Sequence, residues 1–280
     1  MAAHDLAVVI PAWNERDNLE LLLPALRDIV SGLGLRTQII IADGGSVDGT
    51  EQIAPRWGAE VALQSERGYG GALLAGFARA DAPYVVTMDA DLSHRPVFIE
   101  ALWRQRHDAE ILIASRYVEG GRADMPPFRR LLSVTLNRVY GHMLRLPVRD
   151  LSSGFRMYRR DVLQSVRLRS RDFDVLQELL VRVGSEGWRI REVPFHYMAR
   201  GSGRSHVRLV KFGWAFLKTL VRIWRLHHAV QGAAAADDAT RAFDSSIWSP
   251  AAMLSTGGGH GTNSGPYDPC CPGCTCTPPR

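Results

Sequence analysis

Cysteine is missing from the first 269 residues of this 280-residue chain. All four cysteines crowd into the closing "CCPGCTCTPPR", so no disulfide can staple the body of the fold, which fits a cytoplasmic location. Cys271, Cys274 and Cys276 have loosely metal-like spacing, but no histidine follows them to complete a zinc set. The chain also lacks any run of about 18 uncharged apolar residues, the length a membrane-spanning helix needs. Its opening "MAAHDLAVVIPAWNE" has neither the basic nor the apolar region of a secretory leader. No Gly-Lys-Ser/Thr occurs, which excludes a P-loop. "GYGGAL" (68–73) is glycine-rich, but it lacks the G-x-G-x-x-G spacing and does not follow the first apolar run, which excludes a dinucleotide fingerprint. The net charge of +5 is modest, and no nucleic-acid partner is expected.

What is present is ordinary globular composition with a definite order. Apolar runs at 6–11, 37–43, 60–64, 84–89 and 110–116 read as strands. Helix-like segments at 16–33, 46–57, 68–80 and 95–107 separate them, so the alternation predicts a mostly parallel sheet with right-handed crossovers. Beyond Arg116 the pattern shifts. A helix is expected from Pro126-Pro127 through 146, another over 173–187, and a strand-like stretch over 188–200. Between Arg200 and His228 there are seven basic residues and no acidic one, and basic residues at 204, 208, 211, 218, 222 and 225 form a stripe of helical period. The Gly-, Pro- and Ser-rich residues after 228 are expected to be a disordered tail.

In parallel α/β sheets, ligands gather at the carboxyl ends of the strands. This sequence concentrates its unusual polar residues there: Pro11-Ala12-Trp13-Asn14-Glu15, Asp43-Gly44-Gly45-Ser46, Glu66–Gly71, Asp89-Ala90-Asp91 and Ser115-Arg116-Tyr117. Strand alternation would turn Asp89 and Asp91 to one side, where two like charges repel unless a cation lies between them. A hard divalent metal resolves this, because Mg²⁺ is commonly held by one or two carboxylates plus substrate phosphates. A solvated Asp pair in a turn is the alternative. Four further polar clusters on the same edge weigh against it.

Seven ordered segments carry a family resemblance: "VVIPAWNERDNL", "ADGGSVDGT", "MDADLSHRP", "SRYVEGG", "FRRLLSVTLN", "DLSSGFRMYRR" and "REVPFHYMARGSGRS". Over about residues 6–228 the chain resembles the inverting family 2 glycosyltransferases, and within them the dolichol- or polyprenol-phosphate mannose synthases. The resemblance implies an α/β GT-A (Rossmann-like) fold spanning 1–228, with 207–228 as a C-terminal amphipathic helix at the membrane surface and 229–280 as a tail. It implies sugar transfer, mannose from GDP-mannose, onto a polyprenyl or dolichyl phosphate at the cytoplasmic face of a membrane, with Mg²⁺ or Mn²⁺. A UDP-sugar donor, a hydroxyl acceptor and a sugar-nucleotide-binding protein without turnover are the competing readings.

Residue by residue, Pro11, Trp13 and Glu15 match the first nucleotide-binding loop, with Trp13 where Tyr is common. Asp43, near Ile41, matches the carboxylate that contacts the base. Asp89 and Asp91 match the metal pair, with Ala90 between them at the sugar nucleotide. Arg116, Arg129 and Ser133 match phosphate-holding positions, Arg200 a late basic contact, and Glu178 is retained. Asp150 is the candidate base, or else a residue that orients an arginine or the sugar. Gly44 replaces the second Asp of the common Asp-Asp-Gly-Ser, Leu176 stands at a frequent Gln position and His206 where Lys often follows Ser. The exact nucleotide and sugar are therefore open.

Overall fold

The structure, a computed structural model, describes residues 3–198, 219–225 and 227–229. Nine strands are present among them: β1 (Leu6–Ala12), β2 (Thr37–Asp43), β3 (Glu60–Leu63), β4 (Tyr84–Thr87), β5 (Ile111–Ser115), β6 (Arg122–Ala123), β7 (Arg156–Arg159), β8 (Ile190–Pro194) and β9 (His196–Tyr197). Seven form the central sheet in the order β3-β2-β1-β4-β7-β5-β8, and β6 pairs with β9 in a small parallel ribbon. β1 is flanked by β2 and β4 in parallel, and β5 runs parallel to β8.

The five strands expected from the apolar runs are all there, but β7 was not foreseen. It inserts antiparallel between β4 and β5. Its sequence, Arg-Met-Tyr-Arg, is short and carries a charge at each end, so no periodic signal marks it. β4 also stops earlier than expected. Asp89 and Asp91 lie beyond Thr87, in a loop that includes Leu92 at φ 65°. A turn, and not strand alternation, therefore sets the relation between the two carboxylates.

Seven helices are labelled here: α1 (Arg16–Gly32), α2 (Thr50–Ile53, continued by a 3₁₀ turn over Ala54–Trp57), α3 (Tyr69–Arg79), α4 (Phe98–Arg104), α5 (Pro127–Met143), α6 (Arg160–Ser165) and α7 (Val175–Ser185). Both faces of the sheet are covered. Alternation along β1 sends Leu6, Val8 and Ile10 against Leu19, Leu22, Leu23, Leu26 and Val30 of α1, and sends Ala7 and Val9 to the α3 side with Leu73. Each fully buried leucine of α1 contributes roughly 1.5–3 kcal/mol. Gly76 lets α3 approach β1, because a Cβ there would collide with the Val9 side chain.

The described residues belong to one compact unit, Met1–Ala234. Among them no helix is long and apolar enough to cross a membrane. Only part of the expected 207–228 helix falls within the described residues. Residues 219–225 and 227–229 are helical, with Ile223 fully buried in the cluster formed by Tyr140, Leu144 and Val181. Arg222 pairs with Asp174 and reaches Ser170 Oγ at 3.2 Å, so one member of the basic stripe is engaged by the domain itself. Val221 and Trp224 remain exposed.

Candidate active site

The carboxyl ends of β1, β2, β4 and β5 bring most of the candidate residues to one edge of the sheet. The loops after β1 and β2 are stitched together. Asn14 takes a left-handed φ of 57°, its N–H donates to Ser46 Oγ (2.8 Å), and its Oδ1 accepts from the Val47 N–H (3.0 Å). The Glu15 N–H donates to Thr50 Oγ1 at 3.0 Å. Trp13 projects from this loop and is 67% exposed, open to stacking against a planar ligand. Pro11, in β1, is half-buried. Gly44 fits against this loop, since a Cβ would lie 3.3 Å from both Ala12 O and Trp13 Cβ.

One nucleotide-loop expectation needs correction. Ile41 is fully buried within β2, on the α1 side of the sheet, and cannot meet a base without unpacking the core. Asp43 is nearly buried and its carboxylate accepts from the backbone N–H groups of Gly45 (3.1 Å) and Ser46 (3.0 Å), so it shapes the turn.

After β4, Asp89 is partly exposed and is contacted by two residues, Tyr69 and His94. Tyr69 O–H donates to Asp89 Oδ1 at 3.3 Å, and the Asp89 N–H donates to His94 Nδ1 at 2.9 Å. His94 Nε2 sits 3.7 Å from Asp89 Oδ2. Because Nδ1 accepts, the ring proton is on Nε2, facing the carboxylate. Burial holds the His94 pKa below the ordinary value, against the pull of the Asp89 and Asp91 charges. The ring stacks on Phe155 at 4.9 Å. Burial, and then the Asp89 charge, push the Tyr69 phenol well up, so it stays a proton donor. Asp91 accepts from the N–H and O–H of Ser93, and the methyl of Ala90 packs into the core. The described residues hold no group of three or more His, Cys, Asp or Glu side chains arranged for a metal.

The second half of the site is built on Arg116. Its Nε and Nη2 donate to the two oxygens of Asp150 at 2.7 and 2.6 Å, and Nη2 also reaches Ser152 Oγ at 2.7 Å. Asp150 is fully buried and further accepts the Arg116 N–H (3.0 Å). Burial works against the Arg116 charge, but the hydrogen bonds and charge of Asp150 outweigh it and hold the pKa above its ordinary value. The guanidinium lies over the rings of Tyr117 (5.0 Å) and Tyr197 (5.6 Å). Tyr197 also packs edge-on to His94, which joins the arginine to the carboxylate half.

α5 starts with Pro127 at its first position, as Pro126-Pro127 predicted. Ser133 on this helix accepts from Tyr117 O–H at 2.7 Å, and Arg129 stands exposed one turn earlier on the same face. Glu178 does not line the site. It is buried beneath the 166–174 loop, where it accepts from the N–H groups of Arg169 (3.0 Å) and Ser170 (2.6 Å) and from Arg182 (2.8 Å). Arg200 lies outside the described residues.

The reading of the sequence missed Tyr69, His94, Tyr117, Asn137 and Ser152. Four of them, all but Tyr69, sit inside the seven family motifs, but nothing local tells which carboxylate or hydroxyl they reach. Asn137 is buried, bonds Ser133 O (2.9 Å) and Ser152 Oγ (3.2 Å), and receives the Ser152 N–H (3.2 Å). It fixes α5 against the 150–154 loop.

A strand-end cluster with an Asp-x-Asp turn beside a buried arginine–carboxylate frame suits a sugar-nucleotide enzyme, and comparison with known proteins gives the class. The chain belongs to glycosyl transferase family 2, whose sequence model matches residues 7–167. It is a glycosyltransferase of that family. A "Dolichol-phosphate mannosyltransferase" of Pyrococcus furiosus is 31% identical over 79% of this chain, although the chain spans only 63% of that protein's length. A "Dolichyl-phosphate hexose transferase" of Haloferax volcanii is 30% identical over 78% of this chain and 93% of its own. A "Polyprenol monophosphomannose synthase" of Mycolicibacterium smegmatis is 34% identical over 71% and 79%. Among solved structures, glucosyl-3-phosphoglycerate synthase from Mycobacterium tuberculosis, crystallised with Mn²⁺, UDP-glucose and phosphoglyceric acid, shares the fold. Its TM-score is 0.62 at 20% identity, covering 79% of this chain and 80% of that one.

Proposed function

We propose that this chain transfers a sugar, mannose from GDP-mannose, onto a polyprenyl phosphate with inversion at the anomeric carbon. The observation that carries the acceptor choice is the Arg116–Asp150 pair. A sugar hydroxyl needs a positioned base, because it is a poor nucleophile at neutral pH. Asp150 was the one candidate base, and its two oxygens are engaged by Arg116 deep in the protein. A phosphate monoester, with a second pKa of about 6, is largely dianionic already and needs positive charge to hold it. Arg116, Arg129 and Ser133 supply that hold, and arginine suits phosphate oxygens. Relatives whose names specify dolichyl or polyprenol phosphate support the same reading.

In the reaction, a phosphate oxygen of the acceptor forms a bond to the anomeric carbon as the bond from that carbon to the nucleoside diphosphate breaks. An α-linked donor then gives a β-linked product. Trp13 and the 43–46 turn receive the nucleotide, and Arg116 keeps the acceptor phosphate in line. Asp89 and Asp91 would hold Mg²⁺ or Mn²⁺. Two carboxylates without thiols form a hard oxygen set that suits either ion, with diphosphate oxygens and water completing the shell. When bound, the metal neutralises charge on the departing diphosphate.

A polyprenyl acceptor places the enzyme at a bilayer surface. On the first turns of α5, Phe128 and Leu131 are each 66% exposed beside the exposed Arg129 and Arg130. That pairing of apolar and basic side chains suits insertion at an anionic interface. The deciding experiment incubates purified protein with Mg²⁺, a polyprenyl phosphate in detergent and radiolabelled GDP-mannose or UDP-glucose, then extracts lipid. Label from GDP-mannose is expected in the lipid phase, and Asp91→Asn should reduce it by orders of magnitude. Label from UDP-glucose alone would change the donor. Transfer to soluble hydroxyl acceptors alone, or no turnover, would overturn the reading.

A further inference from the structure

We propose that Tyr117 is a positioning residue that orients the Ser133 hydroxyl to donate a hydrogen bond to the acceptor phosphate. This rests on the polyprenyl phosphate reading above. Tyr117 follows Arg116 directly at the end of β5, and its side chain serves two elements. Its ring lies 5.0 Å from the Arg116 guanidinium, and its hydroxyl meets Ser133 Oγ across to α5 at 2.7 Å.

The sense of that hydroxyl pair follows from acidity. A phenol, with an ordinary pKa near 10, is a far stronger acid than an aliphatic alcohol, so Tyr117 donates and Ser133 accepts. Serine in a helix commonly turns its own proton back to the carbonyl four residues earlier. Among the described residues no such bond from Ser133 to Arg129 O is formed. With its oxygen accepting from Tyr117, the Ser133 proton is directed to a ligand. Asn137 keeps the geometry fixed by bonding Ser133 O and Ser152 Oγ at 2.9 and 3.2 Å.

The Arg116 side has the same polarity. Nε and Nη2 are engaged by Asp150 and Ser152, and Nη1 forms no hydrogen bond among the described residues. Ser133 O–H and Arg116 Nη1 are therefore two donors, and the residue that couples them is Tyr117. A phosphate dianion offers only acceptor oxygens and can meet both. A neutral sugar hydroxyl can meet them too, but without the charge that strengthens a hydrogen bond from Arg116 to a phosphate oxygen.

The test measures initial rates with GDP-mannose and a polyprenyl phosphate for wild type, Tyr117→Phe, Ser133→Ala and the double variant. Phenylalanine keeps the ring against Arg116 and removes only the hydroxyl. Tyr117→Phe should raise the acceptor KM about tenfold, the size of one oriented hydrogen bond to a charged group, and leave the donor KM alone. Ser133→Ala should do the same. The double variant should be no worse than Ser133→Ala within about twofold, because the tyrosine acts through the serine. An unchanged acceptor KM in Tyr117→Phe, an equal rise in the donor KM, or a fully additive double variant would each overturn the proposal. Wild type that ignores every polyprenyl phosphate would overturn the underlying reading instead, and the two failures are told apart by that one control.

Discussion

Asp150 and Arg116 lie 34 residues apart in sequence, yet the buried carboxylate accepts both forks of the guanidinium, at 2.7 and 2.6 Å, as well as the arginine's own N–H. This turns the candidate base into a support. Asp150 sits where proton transfer to it would dismantle the arginine's orientation.

Asp150→Asn should accordingly leave measurable transfer with a raised acceptor KM. It should also lower stability by about 3–5 kcal/mol, the usual cost of removing one partner of a buried ion pair. Steady-state kinetics and urea unfolding read the two effects separately. Complete loss of chemistry with both substrates still bound would restore Asp150 as a base.

Gly154 is packed against the Asp89 half of the site. A Cβ there would stand 2.7 Å from Tyr69 Oη and 3.3 Å from Asp89 Oδ1. Gly154→Ala should displace both groups and weaken Mn²⁺ binding by about tenfold, while overpacking costs about 1–3 kcal/mol. Electron paramagnetic resonance titration of Mn²⁺ is the readout. Wild-type affinity would show that Asp89 has no part in holding the ion.

Glu110 gives a pH dependence remote from the site. Hydrogen bonds from Arg189, reinforced by the Arg189 and Arg159 charges, hold its pKa down from 4.5 to about 2. A depressed acid contributes stability above its ordinary pKa and loses it as pH falls through the folded value. Glu110→Gln should therefore destabilise by about 1–2 kcal/mol at pH 7, allowing for solvent screening of the exposed Arg189. The difference from wild type should shrink between about pH 4.5 and 2. Urea midpoints across that range check it, and a pH-independent gap would point to lost packing instead.

The α5 surface predicts a lipid dependence. Replacing Phe128 and Leu131 together by Ser removes apolar area without touching Arg129, Arg130 or the buried face of the helix. Flotation with vesicles containing anionic lipid should drop several-fold, while turnover of a short soluble prenyl phosphate should hold. Undiminished flotation would place the membrane contact elsewhere.

Much of this protein was legible in the amino-acid sequence. Apolar runs located β1 to β5 within two residues at each end, because a strand covered on both faces leaves a short continuous apolar run in the chain, a local signal. Pro126-Pro127 marked the start of α5 for an equally local reason. The Asp-x-Asp turn and the arginine after β5 stood out because polar residues at strand ends have no role in the core.

Only the tertiary structure decided which partners these groups take. β7 gave no periodic signal, since its place between β4 and β5 depends on hydrogen bonds to residues more than 40 positions away. Ile41 lies two residues from Asp43, and only the sheet's orientation relative to α1 shows that its side chain points into the core. Glu178, Asp150 and Tyr117 carry chemistry in their residue types alone. What each one holds (a loop backbone, an arginine, a serine) follows from long-range packing, which no pattern along the chain encodes.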